Sequence, residues 1–160
     1  DAPALAGLSE KYIVEQLKKF KGSVRGAHAD DRAGLKMLPM AQTMRTEEDM
    51  QAVASFIGTL KSAPQEKTIL GGNAETGKMK YMVCAACHGP DGKGNDLLNS
   101  PSLLNQHDWY LARQLHNFKS KLRGADPRDA SGMTMAPMAM TMLTEQDVAD
   151  VIAYIETLSN

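Results

Sequence analysis

Cysteine is almost missing from this chain: Cys84 and Cys87 are the only two thiols in 160 residues. A structural zinc site would want four nitrogen or sulfur ligands, yet His28, His107 and His116 show no paired spacing with the two cysteines. Long apolar runs are missing as well. Apolar residues make up 42% of the chain, but no stretch approaches the roughly 18 needed to span a membrane, so a soluble chain is expected. Neither sign of charge is in excess, with 18 Lys and Arg against 19 Asp and Glu, a net charge of −1 and a pI near 6.5. Without a basic block there is no electrostatic footprint for nucleic acid. Asp1-Ala2-Pro3 opens the chain without the charged and then apolar segment of an export signal, so a mature or trimmed chain is expected. Alternating strand patterns are lacking too, and helical periodicity dominates. The expected class is all-α. Aromatic side chains are few, at 5%, a shortage that a large planar cofactor would offset by supplying apolar area.

What chemistry the chain carries is concentrated in Cys84-Ala85-Ala86-Cys87-His88. On a helix, residues three and four apart share a face, so two thiols and an imidazole are presented together. Cys-x-x-Cys-His is the signature of c-type haem attachment: Cys84 and Cys87 form thioethers to the two vinyl groups, and His88 points a ring nitrogen at the iron. A redox dithiol would want a strand-helix-strand setting, and nothing around residues 70–90 reads as a strand.

In chain order, Ser9 caps a predicted helix to about Phe20, with Tyr12, Ile13, Gln16, Leu17 and Phe20 on one side. Lys21 to Met44, punctuated by Gly22, Gly26, Gly34 and Pro39, is expected as a loop. Thr46-Glu47-Glu48-Asp49 resembles a capping box with Asp in the Glu position. It opens a helix to about Leu60 with Met50, Val53, Phe56, Ile57 and Leu60 inward. Asn73 caps a helix running through the Cys-x-x-Cys-His, followed by the Gly-rich His88–Gly94. The chain also repeats itself. Residues 3–60 placed on 101–158, an offset of 98 without a gap, match at 25 of 58 positions, where unrelated sequences would match at about one in sixteen. Tyr12/Tyr110, Gln16/Gln114, Arg25-Gly26-Ala27/Arg123-Gly124-Ala125 and Pro39-Met40-Ala41/Pro137-Met138-Ala139 are among the matches. The expected organisation is therefore a partial module over residues 1–61 that lacks its attachment helix, a linker over 62–72, and a complete module over 73–160.

These residues resemble the class I cytochromes c, and the doubled module most resembles the dihaem cytochrome c4 family. The points of resemblance are Cys84-x-x-Cys87-His88-Gly89-Pro90-Asp91-Gly92, Tyr110-x-x-x-Gln114-Leu115-x-x-Phe118, and Met135-x-Pro137-Met138-Ala139 ahead of a last helix Glu145–Leu158. The resemblance implies the cytochrome c fold, a helical shell around a haem, as a tandem pair whose first member is incomplete. In each complete module the first and last helices cross. The family carries two attachment motifs where this chain carries one.

With His88 as one axial ligand, a thioether is the expected sixth ligand. Met133, Met135, Met138, Met140 and Met142 crowd together. Met138, beside Pro137 in the loop ahead of the capped last helix, is the choice by resemblance, with Met135 as the alternative. The remaining methionines are expected to fill space, and a copper(I) site is the competing reading of such a cluster. By the same resemblance the carbonyl of Pro101 accepts the far proton of His88. Tyr110, Trp109, Gln114 and Arg123 are candidates for the haem propionates, against roles as core aromatics or a solvated charge. Lys78, Lys80 and Lys93 are candidates to steer an acidic redox partner. The implied function is periplasmic electron transfer, cycling Fe(III)/Fe(II) between respiratory partner proteins without catalysis; a haem subunit of a small-molecule oxidoreductase or peroxidase is the alternative. The first half keeps Tyr12, Leu17, Phe20, Met37, Met40 and Met44. Its concave lining is expected to pack on the second half, to pair with another chain, or to hold a second haem bound by Met40, with a further attachment motif just upstream of Asp1 in the natural gene product. The second haem is the favoured outcome.

Overall fold

In a computed structural model, the described residues, 2–159, fold into seven helices and no strand: α1 (Glu10–Lys21), α2 (Arg32–Gln42), α3 (Glu47–Gly58), α4 (Ala74–His88), α5 (Asp108–Lys119), α6 (Ala130–Ala139) and α7 (Glu145–Leu158). Asp1 and Asn160, the outer bounds of the two expected modules, lie outside the described residues. Helices start where short polar side chains satisfy the otherwise unpaired first amides. Ser9 accepts from the Tyr12 amide and Asn73 from that of Thr76. Thr46 with Asp49, and Thr144 with Asp147, form reciprocal capping boxes, so Asp serves there in place of Glu.

The stretch expected to be one long loop, residues 21–44, instead contains α2. Its glycines and proline have other uses than breaking a helix. Asp31 caps α2 through the Gly34 amide at 2.9 Å, and a Cβ on Gly34 would stand 2.5 Å from the Gly26 Cα. Glycine is thus demanded where two backbone segments touch. Pro39 falls near the C-terminal end of α2, where its missing N–H removes one late hydrogen bond rather than dividing the helix. The second copy repeats the arrangement: Asp129 caps α6 through Gly132, Gly124 packs on Gly132, and Pro137 lies inside the helix. Met138 therefore sits in α6, not in the loop where the resemblance put it.

Two apolar clusters form. Ile13, Val14, Leu17, Met50, Ala54 and Ile57 join α1 to α3. Tyr81, Met142, Val148, Val151, Ile152 and Ile155 join α4 to α7, with Leu103, Leu111 and Leu115 packed against them. At Gly77 the α4–α7 crossing admits no side chain, since a Cβ would lie 1.9 Å from the Asp150 carbonyl oxygen. This crossing explains a second departure from expectation. Phe56 and Leu60 were placed inward on the second helix, but they are 65% and 44% exposed. Their counterparts at the 98-residue offset, Tyr154 and Leu158, are covered in the second cluster, Tyr154 by a tilted contact with Tyr81 at 5.2 Å. That cover comes from α4. No helix occupies the equivalent place on α3 among the described residues.

Candidate functional site

The site is built on the C-terminal turn of α4. Tyr81 anchors this end: its hydroxyl donates to the Gly89 carbonyl at 2.8 Å. The chain then turns away through Gly89, Gly92 and Gly94, all at positive φ. At Gly94 a Cβ would stand 2.5 Å from the Ser100 carbonyl oxygen, so only glycine lets this loop fold back. The fold-back brings Pro101 to His88, where the ring Nδ1 lies 2.9 Å from the Pro101 carbonyl oxygen. A carbonyl only accepts, so Nδ1 carries the proton and the Nε2 lone pair is left free. His88 is buried, and burial, opposed by the Pro101 bond, lowers its pKa. The imidazole is neutral at pH 7, the form in which it binds a metal.

Cys84, one turn before His88, and Cys87, next to it in the chain, are free, half-buried thiols. Burial, with Cys87 adding to it, pushes the Cys84 thiol up to about 11. A thiol so firmly protonated is a poor redox nucleophile. Cys84 and Ala85 pack with Leu103, Leu111 and Leu115 against the second cluster, so the motif faces an apolar setting. Of the methionines ahead of α7, Met142 is buried at 3% exposure and belongs to the core, whereas Met133, Met138 and Met140 are open at 49%, 36% and 44%. Met40 is more open still, at 56%.

The candidate propionate residues come together with their repeat mates in one network across the two halves. Arg123 donates to Gln114 Oε1 at 2.8 Å, to the Tyr12 hydroxyl at 3.1 Å and to Gln16 Oε1 at 3.0 Å. Arg25 mirrors it, donating to Gln16 Oε1 at 2.7 Å, to the Tyr110 hydroxyl at 3.0 Å and to Gln114 Oε1 at 3.2 Å. Both guanidiniums are more than nine-tenths buried, and each lies over a phenylalanine ring, Phe20 or Phe118, at 4.7 Å. Their hydrogen-bond partners are all neutral. Burial would raise the Tyr12 pKa, yet it is lowered, because Arg123 and Arg25 stand beside it. Gln16 Nε2 and Arg123 Nε are buried without partners. Trp109 is outside this network, stacked on His107 and beneath Arg113. Among the lysines proposed to steer a partner, Lys80 is bound to Asp147 at 2.5 Å and Lys93 to Asp91 at 2.8 Å. Two of the three are thus already neutralised by neighbours.

Arg25 and Gln16 are not among the site residues read from the sequence, and Tyr12 is named there only as lining of the first half. The signal was the repeat itself, which pairs them with Arg123, Gln114 and Tyr110. Another residue missed was Asp108, which accepts from the Thr68 hydroxyl and the Ile69 and Trp109 amides at 2.6–2.7 Å, and from the Thr68 amide. It ties the connecting segment to α5.

A c-type haem fits this donor set. Two thiols and a free imidazole Nε2 lie on one helix end against apolar side chains, while buried guanidiniums without anions and an orphaned Nε await carboxylates. The cytochrome c family model matches residues 74–159. Cytochrome c4 of Stutzerimonas stutzeri is 31% identical over 98% of this chain and 76% of its own length. A thiosulfate dehydrogenase electron acceptor of the same species is 29% identical over 81% of this chain and 61% of its own length. The structure of Acidithiobacillus ferrooxidans cytochrome c4 superposes with a TM-score of 0.79 at 28% identity, covering 98% of this chain and 88% of that one. The dihaem-like tandem fold is thereby confirmed over the whole chain, and one cysteine pair in a cytochrome c domain implies one covalently attached haem c. The chain belongs to the cytochrome c family, and its similarity to cytochrome c4 over nearly its full length makes it an electron-carrying c-type cytochrome.

Proposed function

We propose that the chain carries single electrons between respiratory partner proteins in the periplasm, with haem attached at Cys84 and Cys87 and ligated by His88 and Met138. When bound, the haem iron supplies a one-electron Fe(III)/Fe(II) couple. The chain does the rest. The Pro101 carbonyl holds the proton on Nδ1 of His88 and fixes the ring, as partners behind a metal-ligating imidazole do. Leu103, Leu111 and Leu115 exclude water on the side where Cys84 packs. Arg123, with Gln114 and Tyr110, holds the propionates. Met138, on α6 and partly open, supplies the thioether; Met135, also on α6, is the alternative. In the first half, Met40 is the counterpart of Met138 and is the ligand for a second haem wherever an attachment peptide accompanies it. The observation that carries the reading is the 2.9 Å His88–Pro101 bond, which presents a neutral, oriented Nε2 beside two free thiols. The similarity to a thiosulfate dehydrogenase electron acceptor supports a redox enzyme as the donor.

The ligand assignment is tested by spectroscopy on the haem-loaded chain. The weak near-infrared band of a thioether bound to ferric iron is expected to vanish in Met138→Ala and to persist in Met140→Ala; loss of the band in Met135→Ala alone would move the ligand to Met135. With the sixth position occupied, the reduced protein is expected to bind carbon monoxide negligibly at neutral pH. Rapid binding would instead favour an enzyme with an open iron.

A further inference from the structure

Arg25 belongs to the half of the chain that has no attachment motif, yet it is the guanidinium whose hydrogen bonds reach Tyr110 and Gln114 of the other half. A guanidinium stays charged at any ordinary pH, so burying one is costly unless an anion or a full set of acceptors replaces water. Here two are buried together and share the same two acceptors, Gln16 Oε1 and Gln114 Oε1, so that each amide oxygen receives a donor from both arginines. Neither touches a carboxylate. The acidic group that faces Arg123 is Asp129; its Oδ1 accepts from Lys19 at 2.6 Å and from the Gly132 amide at 3.0 Å, and its Oδ2 is buried without a hydrogen bond to either arginine. The other polar groups facing the pair are the hydroxyls of Tyr12 and Tyr110, which accept from Arg123 and Arg25. Two positive charges are therefore held together with no negative charge bonded to either.

A haem carries two carboxylates on one edge of an otherwise apolar disc. Two carboxylates match two guanidiniums in number and charge, and the planar fork of arginine is the side chain best suited to bind them. Helix α5 connects the two environments: Leu111 and Leu115 pack in the cluster that includes Cys84, while Tyr110 and Gln114, each one residue earlier, join the arginine network. We propose that Arg25 acts in trans, holding a propionate of the haem attached at Cys84 and Cys87 together with Arg123, and that it thereby sets that haem's reduction potential from the neighbouring half. The proposal rests on the haem reading above.

The mechanism is electrostatic. An uncompensated carboxylate beside the iron favours the ferric state, and a cation bound to that carboxylate cancels the effect. Removing the cation lowers the potential and lets the carboxyl titrate. Haem-loaded full-length Arg25→Gln is therefore expected to favour the ferric form about tenfold more than the parent at neutral pH, a fall of about 59 mV for a one-electron couple. The gap is expected to close as pH drops and the freed carboxyl takes up a proton, so the variant's potential becomes pH-dependent between about pH 5 and about pH 8 while the parent's stays flat. Arg25→Lys keeps the charge and is expected to stay near the parent on both measures. Gln106→Ala serves as the interface control. It breaks the paired Ala4–Gln106 bonds, each 2.8 Å, elsewhere between the halves, and is expected to leave the potential unmoved. Covalent haem content and the low-spin spectrum are measured on every sample. Full haem content in Arg25→Gln with a potential and pH profile equal to the parent's overturns the role of Arg25 alone. An equal fall in Gln106→Ala also overturns it, because general loosening would then explain the shift. A parent chain without covalent haem overturns the cofactor reading and this one with it.

Discussion

At the scale of single residues, buried polar groups decide more than apolar ones do. His88 is directed by one carbonyl; Asp108 directs a whole segment. Burial works to raise the Asp108 carboxyl's pKa, but the amides of Ile69, Thr68 and Trp109 and the Thr68 hydroxyl hold it below its usual range. A neutral amide in its place keeps the shape and loses the charge on which those donors converge. Asp108→Asn is expected to cost about 2 kcal/mol, read as a lowered denaturant midpoint at unchanged m-value. A midpoint equal to the parent's would mean that the connecting segment is held by the Ile69 packing instead. None of this was visible beforehand, because an Asp at a helix start reads as an ordinary first-turn acid favoured by the dipole. Its distant partners, Thr68 and Ile69, lie 40 and 39 residues back in the chain, in a stretch with no pattern of its own.

At the scale of elements, caps were legible and crossings were not. Ser9, Thr46, Asn73 and Thr144 bond only to amides a few residues on, so their local sequence suffices. The helix α2 was lost to the loop reading because Gly26 and Gly34 look like breakers until their contact is seen. Asp147 serves both kinds of interaction. It closes the capping box of α7 and binds Lys80 of α4 at 2.5 Å. Lys80, and next the Thr144 amide, bring its carboxyl from 3.8 down to about 2. A carboxyl depressed in the folded state binds its proton more tightly in the unfolded chain, so its stabilisation is complete above about pH 4 and is lost as pH falls toward 2. Asp147→Asn is expected to be less stable than the parent from about pH 5 to 7 and to match it near pH 2. Thermal unfolding of both proteins across that range tests this; a gap that persists undiminished at the acid end would contradict it.

At the scale of the whole molecule, the two halves are joined by polar contacts rather than by a shared apolar core. Besides the arginine network, Lys19 binds Asp129 at 2.6 Å with side chains 12% and 1% exposed, and Arg128 reaches the Gly22 carbonyl at 3.3 Å. Breaking a buried pair strands the remaining charge at a cost of about 3–5 kcal/mol. With ties of this size the halves are expected to unfold together, so calorimetry of the haem-loaded protein should show one transition, which Lys19→Met lowers as a unit. Two resolved transitions, of which Lys19→Met moves one, would show independent halves. The sequence by itself determined the helical class, the attachment motif, the caps and the doubling, because each depends on spacing within a turn or on identity at a fixed offset. Only the tertiary structure decided that Phe56 stays open where Tyr154 is covered, that Met138 lies on a helix, and that Arg25 turns toward the other half. The reason is physical: burial and charge compensation depend on what another segment brings, and equivalent positions such as Phe56 and Tyr154 meet different neighbours in the two copies.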